Sequence, residues 1–104
     1  MRILLIVNSF ATSVTPRNTV QVHQYLARHH DVQVVETSER GHATRFAIDA
    51  VSRELDAVIA FGGDGTLNEV ATGLAGSNVA LGVLPGGSTN VFARSLGMAN
   101  DPLL

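Results

Sequence analysis

Three continuous apolar runs mark the chain, Ile3–Val7, Ala57–Phe61 and Val79–Leu84, rich in branched side chains and without period-two alternation. Runs of this kind fit strands covered on both faces, as in a parallel sheet flanked by helices. A fourth stretch, Val32–Glu36, partly alternates and reads as a strand nearer the sheet edge.

Between these runs the apolar spacing becomes helical. Thr15 followed by Pro16 is a helix start, a capping hydroxyl before a proline at the first helical position. Val20, Tyr25 and Leu26 are expected to form that helix's inner stripe. In HATRFAIDAVSREL, Ala43, Phe46, Ala47, Ala50, Val51 and Leu55 recur on one side, and in TLNEVATGLAG so do Leu67, Val70, Ala71 and Leu74, with a stop at Gly76. A last short helix is expected over Val91–Leu96, closed by Gly97. The order β-α-β-α-β-α-β-α predicts an α/β fold, a three-layer α-β-α Rossmann-like parallel sheet, in one domain spanning residues 1–104.

Composition narrows the function classes. Apolar residues make up 45% of the 104, which favours a packed sheet-and-helix interior over a surface-rich module. With only 7 Lys and Arg and a formal charge of −2, a nucleic-acid partner is not expected. There is no cysteine, so disulfides and thiolate metal sites are excluded. His29 and His30 suit a helix end, and His23 and His42 are isolated, so a zinc site is not expected either. The apolar run near the N-terminus ends at Asn8, too soon for a signal peptide or a membrane span. The expectation is a cytoplasmic, soluble chain, compatible with peripheral contact at the inner membrane face.

The candidate chemistry lies where strands run into helices. DAVIAFGGDGTLNEVATGL places Gly62, Gly63, Asp64 and Gly65 between a buried strand and a helix. In an open parallel sheet ligands bind at that carboxyl edge. Glycines carry no Cβ to hold a ligand away, and the helix adds the positive end of its dipole. A carboxylate alone there would repel phosphate, so Asp64 is expected to serve as a magnesium contact or as a positioner of reacting groups. Thr66 and Glu69 read as a capping box, which accounts for those two residues but for neither the glycines nor the acid. A second loop, Leu84-Pro85-Gly86-Gly87-Ser88-Thr89-Asn90, repeats the theme, although Ser88 or Thr89 alone would suit an N-cap. The first loop, NSFATSVTP, lacks the glycines of dinucleotide folds, and no P-loop motif occurs.

GGDGTLNEV followed by LGVLPGGSTNVFARSLG resembles the catalytic domain of diacylglycerol kinases and related bacterial lipid and sphingosine kinases. NAD kinases and phosphofructokinases share the shorter glycine-aspartate run, and the PGGSTNVFAR block narrows the choice to lipid kinases. The resemblance extends over nearly the whole chain, including Asn8 and ETSERGHA. It implies ATP and Mg2+ as cofactors and transfer of the γ-phosphoryl group to a lipid hydroxyl, with diacylglycerol the leading acceptor. It also implies that Gly63, Asp64, Gly65 and Thr66 hold phosphates and magnesium beside Gly62, that Asn8 and Thr37 line the nucleotide site, and that Gly87, Ser88 and Asn90 complete it. Asn68 and Arg94 also match the motif, with a structural role or a helix charge as the alternative.

Three departures stand out: no Asn-Pro and Ser-Gly pair follows the first strand, Ser88 replaces a commoner threonine, and Val91 stands where an acid or amide is frequent. The family resembles two-domain proteins, so this chain is expected to be the nucleotide-binding half, with a β-rich second domain supplying the general base and the lipid pocket. An NAD kinase-like phosphotransferase and a non-catalytic nucleotide-binding domain are the alternatives.

Overall fold

The computed structural model describes residues 1–11 and 14–84. The elements run β1 (Arg2–Val7), α1 (Pro16–Ala27), β2 (Asp31–Glu36), α2 (His42–Ser52), β3 (Ala57–Phe61), α3 (Asp64–Leu74) and β4 (Ala80–Leu84). The four strands form one sheet in the order β2-β1-β3-β4, every neighbouring pair parallel. The expected helix over 91–96 and the loop bearing Gly87, Ser88 and Asn90 lie outside the described residues.

The sheet has a core on each face. Ile3, Leu5, Val7, Ile59 and Phe61 point to one side, where Val22, Tyr25 and Leu26 of α1 pack with Val14. Leu4, Ile6, Val58 and Ala60 point to the other, against Ala43, Ala47 and Ala50 of α2 and Val70 and Leu74 of α3. Helices on both faces of a parallel sheet give the expected three layers. β1 and β3 therefore feed helices on opposite faces, and their following loops part at the carboxyl edge. Divergence of this kind opens the crevice in which ligands bind in doubly wound sheets.

Several helix ends follow from local chemistry. The Thr15 side chain accepts the Asn18 N–H at 3.0 Å with Pro16 in the first turn, the start read from the sequence. Helix α2 stops at Ser52, short of the expected Leu55. There the Leu55 N–H reaches the Ala50 carbonyl and the Glu54 N–H that of Val51, with Glu54 at φ 55. This is a Schellman stop built on a glutamate instead of glycine, and Leu55 folds back beside Ala50 in the core. Gly76, at φ 77, ends α3 near the expected place.

Three assignments are corrected. Val20 is 52% exposed, and Val22 takes its place in the buried stripe of α1. Two helical positions rotate a side chain by about 200°, so only one of the pair can face the sheet. Ala71 is exposed for a related reason: α2 crosses close to Gly73 and draws the buried stripe of α3 onto Thr66, Val70 and Leu74. Among the described residues β4 is not covered on both faces but is the second edge, with Ala80 and Leu81 exposed. A short apolar run does not by itself reveal how many neighbours the strand has. β2, at the opposite edge, matches its half-alternating sequence.

The α2–α3 contact depends on Gly73. A Cβ there would stand 2.6 Å from the Ala47 Cβ and 2.7 Å from the Thr44 carbonyl oxygen, and backbone cannot step aside cheaply. Gly73→Ala should therefore lower unfolding stability by about 1–3 kcal/mol, the usual cost of overpacking. Chemical denaturation would register this as a lower midpoint with unchanged slope, and an unchanged midpoint would contradict the packing described.

Candidate functional site

The carboxyl edge is joined by a small polar cluster. Past the end of β1 the Asn8 N–H still donates to the Phe61 carbonyl at 2.9 Å, prolonging the β1–β3 ladder by one bond. The Asn8 side chain then divides its amide: Nδ2 donates to Thr66 Oγ1 at 3.3 Å, and Oδ1 accepts the Phe10 N–H at 3.1 Å. Gly62 lies under this contact. A Cβ on it would meet Thr66 Oγ1 at 2.7 Å and the Asn8 Cβ at 3.0 Å. On the other flank the Thr37 N–H donates to the Val7 carbonyl at 2.9 Å, and its buried hydroxyl reaches the same oxygen at 3.5 Å.

The expected capping box is not present. Helix α3 begins at Asp64, three residues earlier than the box requires, so Thr66 lies inside the first turn and bonds across to Asn8. Glu69 turns to the neighbouring helix, where Oε1 accepts the Gly41 N–H at 3.0 Å. Gly41 itself needs φ 86 to start α2, a conformation that favours glycine. The Glu69 carbonyl also accepts the Thr44 hydroxyl at 2.9 Å, so one residue ties the starts of α2 and α3 together. The physical reason is competition: two tertiary partners outbid the local cap.

The N-cap of α3 is Gly63, and among the described residues no side chain caps this N-terminus. The first amides of a helix have no partner within it and carry the positive dipole end. Gly63 and Gly65 frame this turn, and a Cβ on either would meet nothing within 4 Å. Gly63 is at φ −89, so its backbone conformation is open to other residues. Neither packing nor dihedral angle calls for glycine at these two positions.

A cleft of about 270 Å³ opens there, lined by Asn8, Thr37, Gly65 and Thr66 of the expected set. Gly62 lies beneath it, and Gly63 and Asp64 are exposed at the same turn. The fold thus brings together the described part of the sequence-derived set, while Gly87, Ser88 and Asn90 fall outside the described residues. Phe10, Ser38, Glu39, Arg40, Ala43 and Glu69 also line the cleft and were not assigned to it from sequence, although ETSERGHA contains four of the six. Their signal was topological: the loop after β2 must emerge beside the loops after β1 and β3 on the same edge.

The charges at the cleft are mixed. Glu39 is engaged by Arg45 at 2.9 Å and Glu69 by the Gly41 amide, whereas Arg40 has no ion pair among the described residues. Asp64 is exposed and acidic in the first turn of α3, a single hard oxygen donor of the kind magnesium takes, and among the described residues no group of three or more metal-ligating side chains gathers. A larger cleft of about 470 Å³ at the opposite edge is lined by Glu54 and Asp56 with no cation, which disfavours phosphate.

The chain is similar to known proteins in sequence and in fold. The model of the diacylglycerol kinase catalytic domain matches residues 2–104. A protein named as a YegS-like lipid kinase from Klebsiella pneumoniae is 51% identical over 73 residues, covering 68% of this chain and 25% of its own length. A diacylglycerol kinase from Bacillus subtilis is 50% identical over 70 residues, covering 65% and 23% respectively. The crystal structure of a diacylglycerol kinase from Bacillus anthracis superimposes with a TM-score of 0.74 at 34% identity, over 94% of this chain and 39% of that one. The chain spans about a quarter of the length of these curated relatives. Matched over nearly all of its residues, the chain belongs to the diacylglycerol kinase catalytic domain family.

Proposed function

We propose that this chain is the ATP-binding half of a lipid kinase, which passes the γ-phosphoryl group of ATP to a lipid hydroxyl, diacylglycerol giving phosphatidic acid. The observation that carries the reading is the uncapped start of α3 flanked by Gly63 and Gly65, neither of which has a packing reason to be glycine. Amides left free in this way are a ready anion site, and glycine lets phosphate oxygens approach the backbone.

Each residue then has a role in holding the donor. The amides of Asp64, Gly65 and Thr66 grip the phosphates, and Arg40, without an ion pair among the described residues, adds its guanidinium across the cleft. Asp64 holds magnesium, which when bound neutralises phosphate charge. Asn8 and Thr66 fix the angle at which α3 meets the sheet, and Thr37 closes the floor beside β1.

In the transfer the lipid oxygen attacks the γ-phosphorus, the bond to the β,γ-bridging oxygen breaks, and ADP leaves with that electron pair. The hydroxyl proton passes to a base, which we assign to a second, β-rich domain in the remaining length that the relatives have and this chain does not span. Phosphoryl transfer depends chiefly on positioning and charge neutralisation, so a donor-holding domain and an acceptor-presenting domain can be built separately. The reading sets the protein in the cytoplasm, meeting its lipid at the inner membrane face; among the described residues no helix is long and apolar enough to cross a membrane.

Three outcomes follow. Gly63→Ala should leave stability within about 0.5 kcal/mol, as for a surface change, yet weaken ATP binding measured by calorimetry. Gly62→Ala should lower both, because its Cβ would strike the Thr66 hydroxyl. Equal behaviour of the two variants would contradict the division between packing and ligand glycines. Asp64→Asn should cost about 1.5–3 kcal/mol of magnesium-dependent ATP affinity, roughly ten- to hundred-fold, while ATP binding in chelator stays unchanged. An Asp64→Asn variant with wild-type magnesium dependence would remove Asp64 from the metal. Lastly, the purified chain should transfer no labelled phosphate from ATP to diacylglycerol in mixed micelles. Incorporation above the protein-free background would show that the base lies within these residues.

A further inference from the structure

Phe10 is the cleft residue that this reading leaves without work. Its side chain is 78% exposed, the highest value among the exposed large apolar residues. A ring held in water at the wall of a binding cleft is an unusual use of an aromatic residue, since its apolar faces gain most from burial. The backbone beneath it is fixed. The Phe10 N–H donates to Asn8 Oδ1, and the Ala11 N–H donates to the Asn8 carbonyl, both at 3.1 Å. The asparagine that positions Thr66 therefore also positions this ring.

The rest of the described lining offers no aromatic surface. It consists of polar and charged side chains, Gly65 and the small Ala43. The other described rings are committed elsewhere: Phe61 and Tyr25 are in the core, and Phe46 stacks on His42 at 4.4 Å. Backbone amides and Arg40 recognise phosphate alone and would accept an inorganic polyphosphate as readily as a nucleotide. Discrimination needs a contact with the base, and a base presents flat faces that stack on an aromatic side chain whatever its hydrogen-bonding edge.

We infer that Phe10 is the stacking platform for the nucleobase, placing the base over the β1–α1 loop while the phosphates reach the start of α3. This rests on the nucleotide reading given above. It makes Phe10 the residue that selects a nucleoside triphosphate over a bare polyphosphate chain.

The test compares the full chain with its Phe10→Ala and Phe10→Trp variants by calorimetry, using magnesium-ATP and magnesium-tripolyphosphate as ligands. Phe10→Ala should lose roughly ten-fold in ATP affinity, within the range measured for base stacking on aromatics, and keep its tripolyphosphate affinity. Phe10→Trp should keep ATP affinity. Because the sequence contains no tryptophan, its fluorescence reports this position alone and should be quenched by ATP but not by tripolyphosphate. An unchanged ATP affinity in Phe10→Ala, or equal losses for both ligands, would overturn the assignment. So would loss of binding to diacylglycerol-containing vesicles with ATP binding intact, which would put the ring on the lipid side. Failure of the unaltered chain to bind ATP would overturn the nucleotide reading itself, and the Phe10 assignment with it.

Discussion

The contact between the Asn8 amide and the Thr66 hydroxyl, with Gly62 beneath it, is the constraint on which the carboxyl edge depends. β1 and β3 send their chains to opposite faces of the sheet, so nothing in the strand ladder alone fixes how their loops meet. Asn8 supplies that link with a single side chain. Its backbone extends the ladder to Phe61, one end of its amide holds the first turn of α3, and the other holds the turn at Phe10. Only glycine at position 62 leaves room for the three parts to converge.

A second tie completes the cleft. Glu69 joins the starts of α2 and α3 through the Gly41 amide and the Thr44 hydroxyl. Thr66 and Glu69, the pair that matched a capping box, are both employed in tertiary contacts, and the N-cap of α3 falls on Gly63, which has no side chain to cap with. A bare helix start next to solvent is locally suboptimal by the capping rules. Local rules are most often broken at functional sites, where a ligand completes what the chain leaves open. The glycines around this turn divide accordingly: Gly62 and Gly73 are dictated by neighbouring atoms, Gly41 and Gly76 by dihedral angle, and Gly63 and Gly65 by neither.

Much of this was legible in the sequence. Unbroken branched runs identified the central strands, the half-alternation of residues 32–36 marked an edge, and Thr15-Pro16 fixed the start of α1 to the residue. The glycine-aspartate turn lies at the carboxyl edge, between β3 and α3, as its place after an apolar run implied. What periodicity did not reveal was set by neighbours distant in sequence. Val20 and Val22 are equivalent by composition and differ only in rotation about the helix, and Ala71 lost its inward place to the close approach of α2 at Gly73. Glu69 matched a local capping pattern, but its carboxylate takes the Gly41 amide 28 residues away. Phe10 gave no signal, because exposure is a property of the folded surface and not of a motif.

The account stands most directly on where ATP perturbs the backbone. In an 15N-labelled sample titrated with magnesium-ATP, the largest amide shifts should fall on Gly63, Asp64, Gly65 and Thr66, together with the side-chain amide of Asn8. Shifts centred instead on the opposite edge, around Glu54, Asp56 and Ser77, or an unmoved first turn of α3 under saturating ATP, would contradict it.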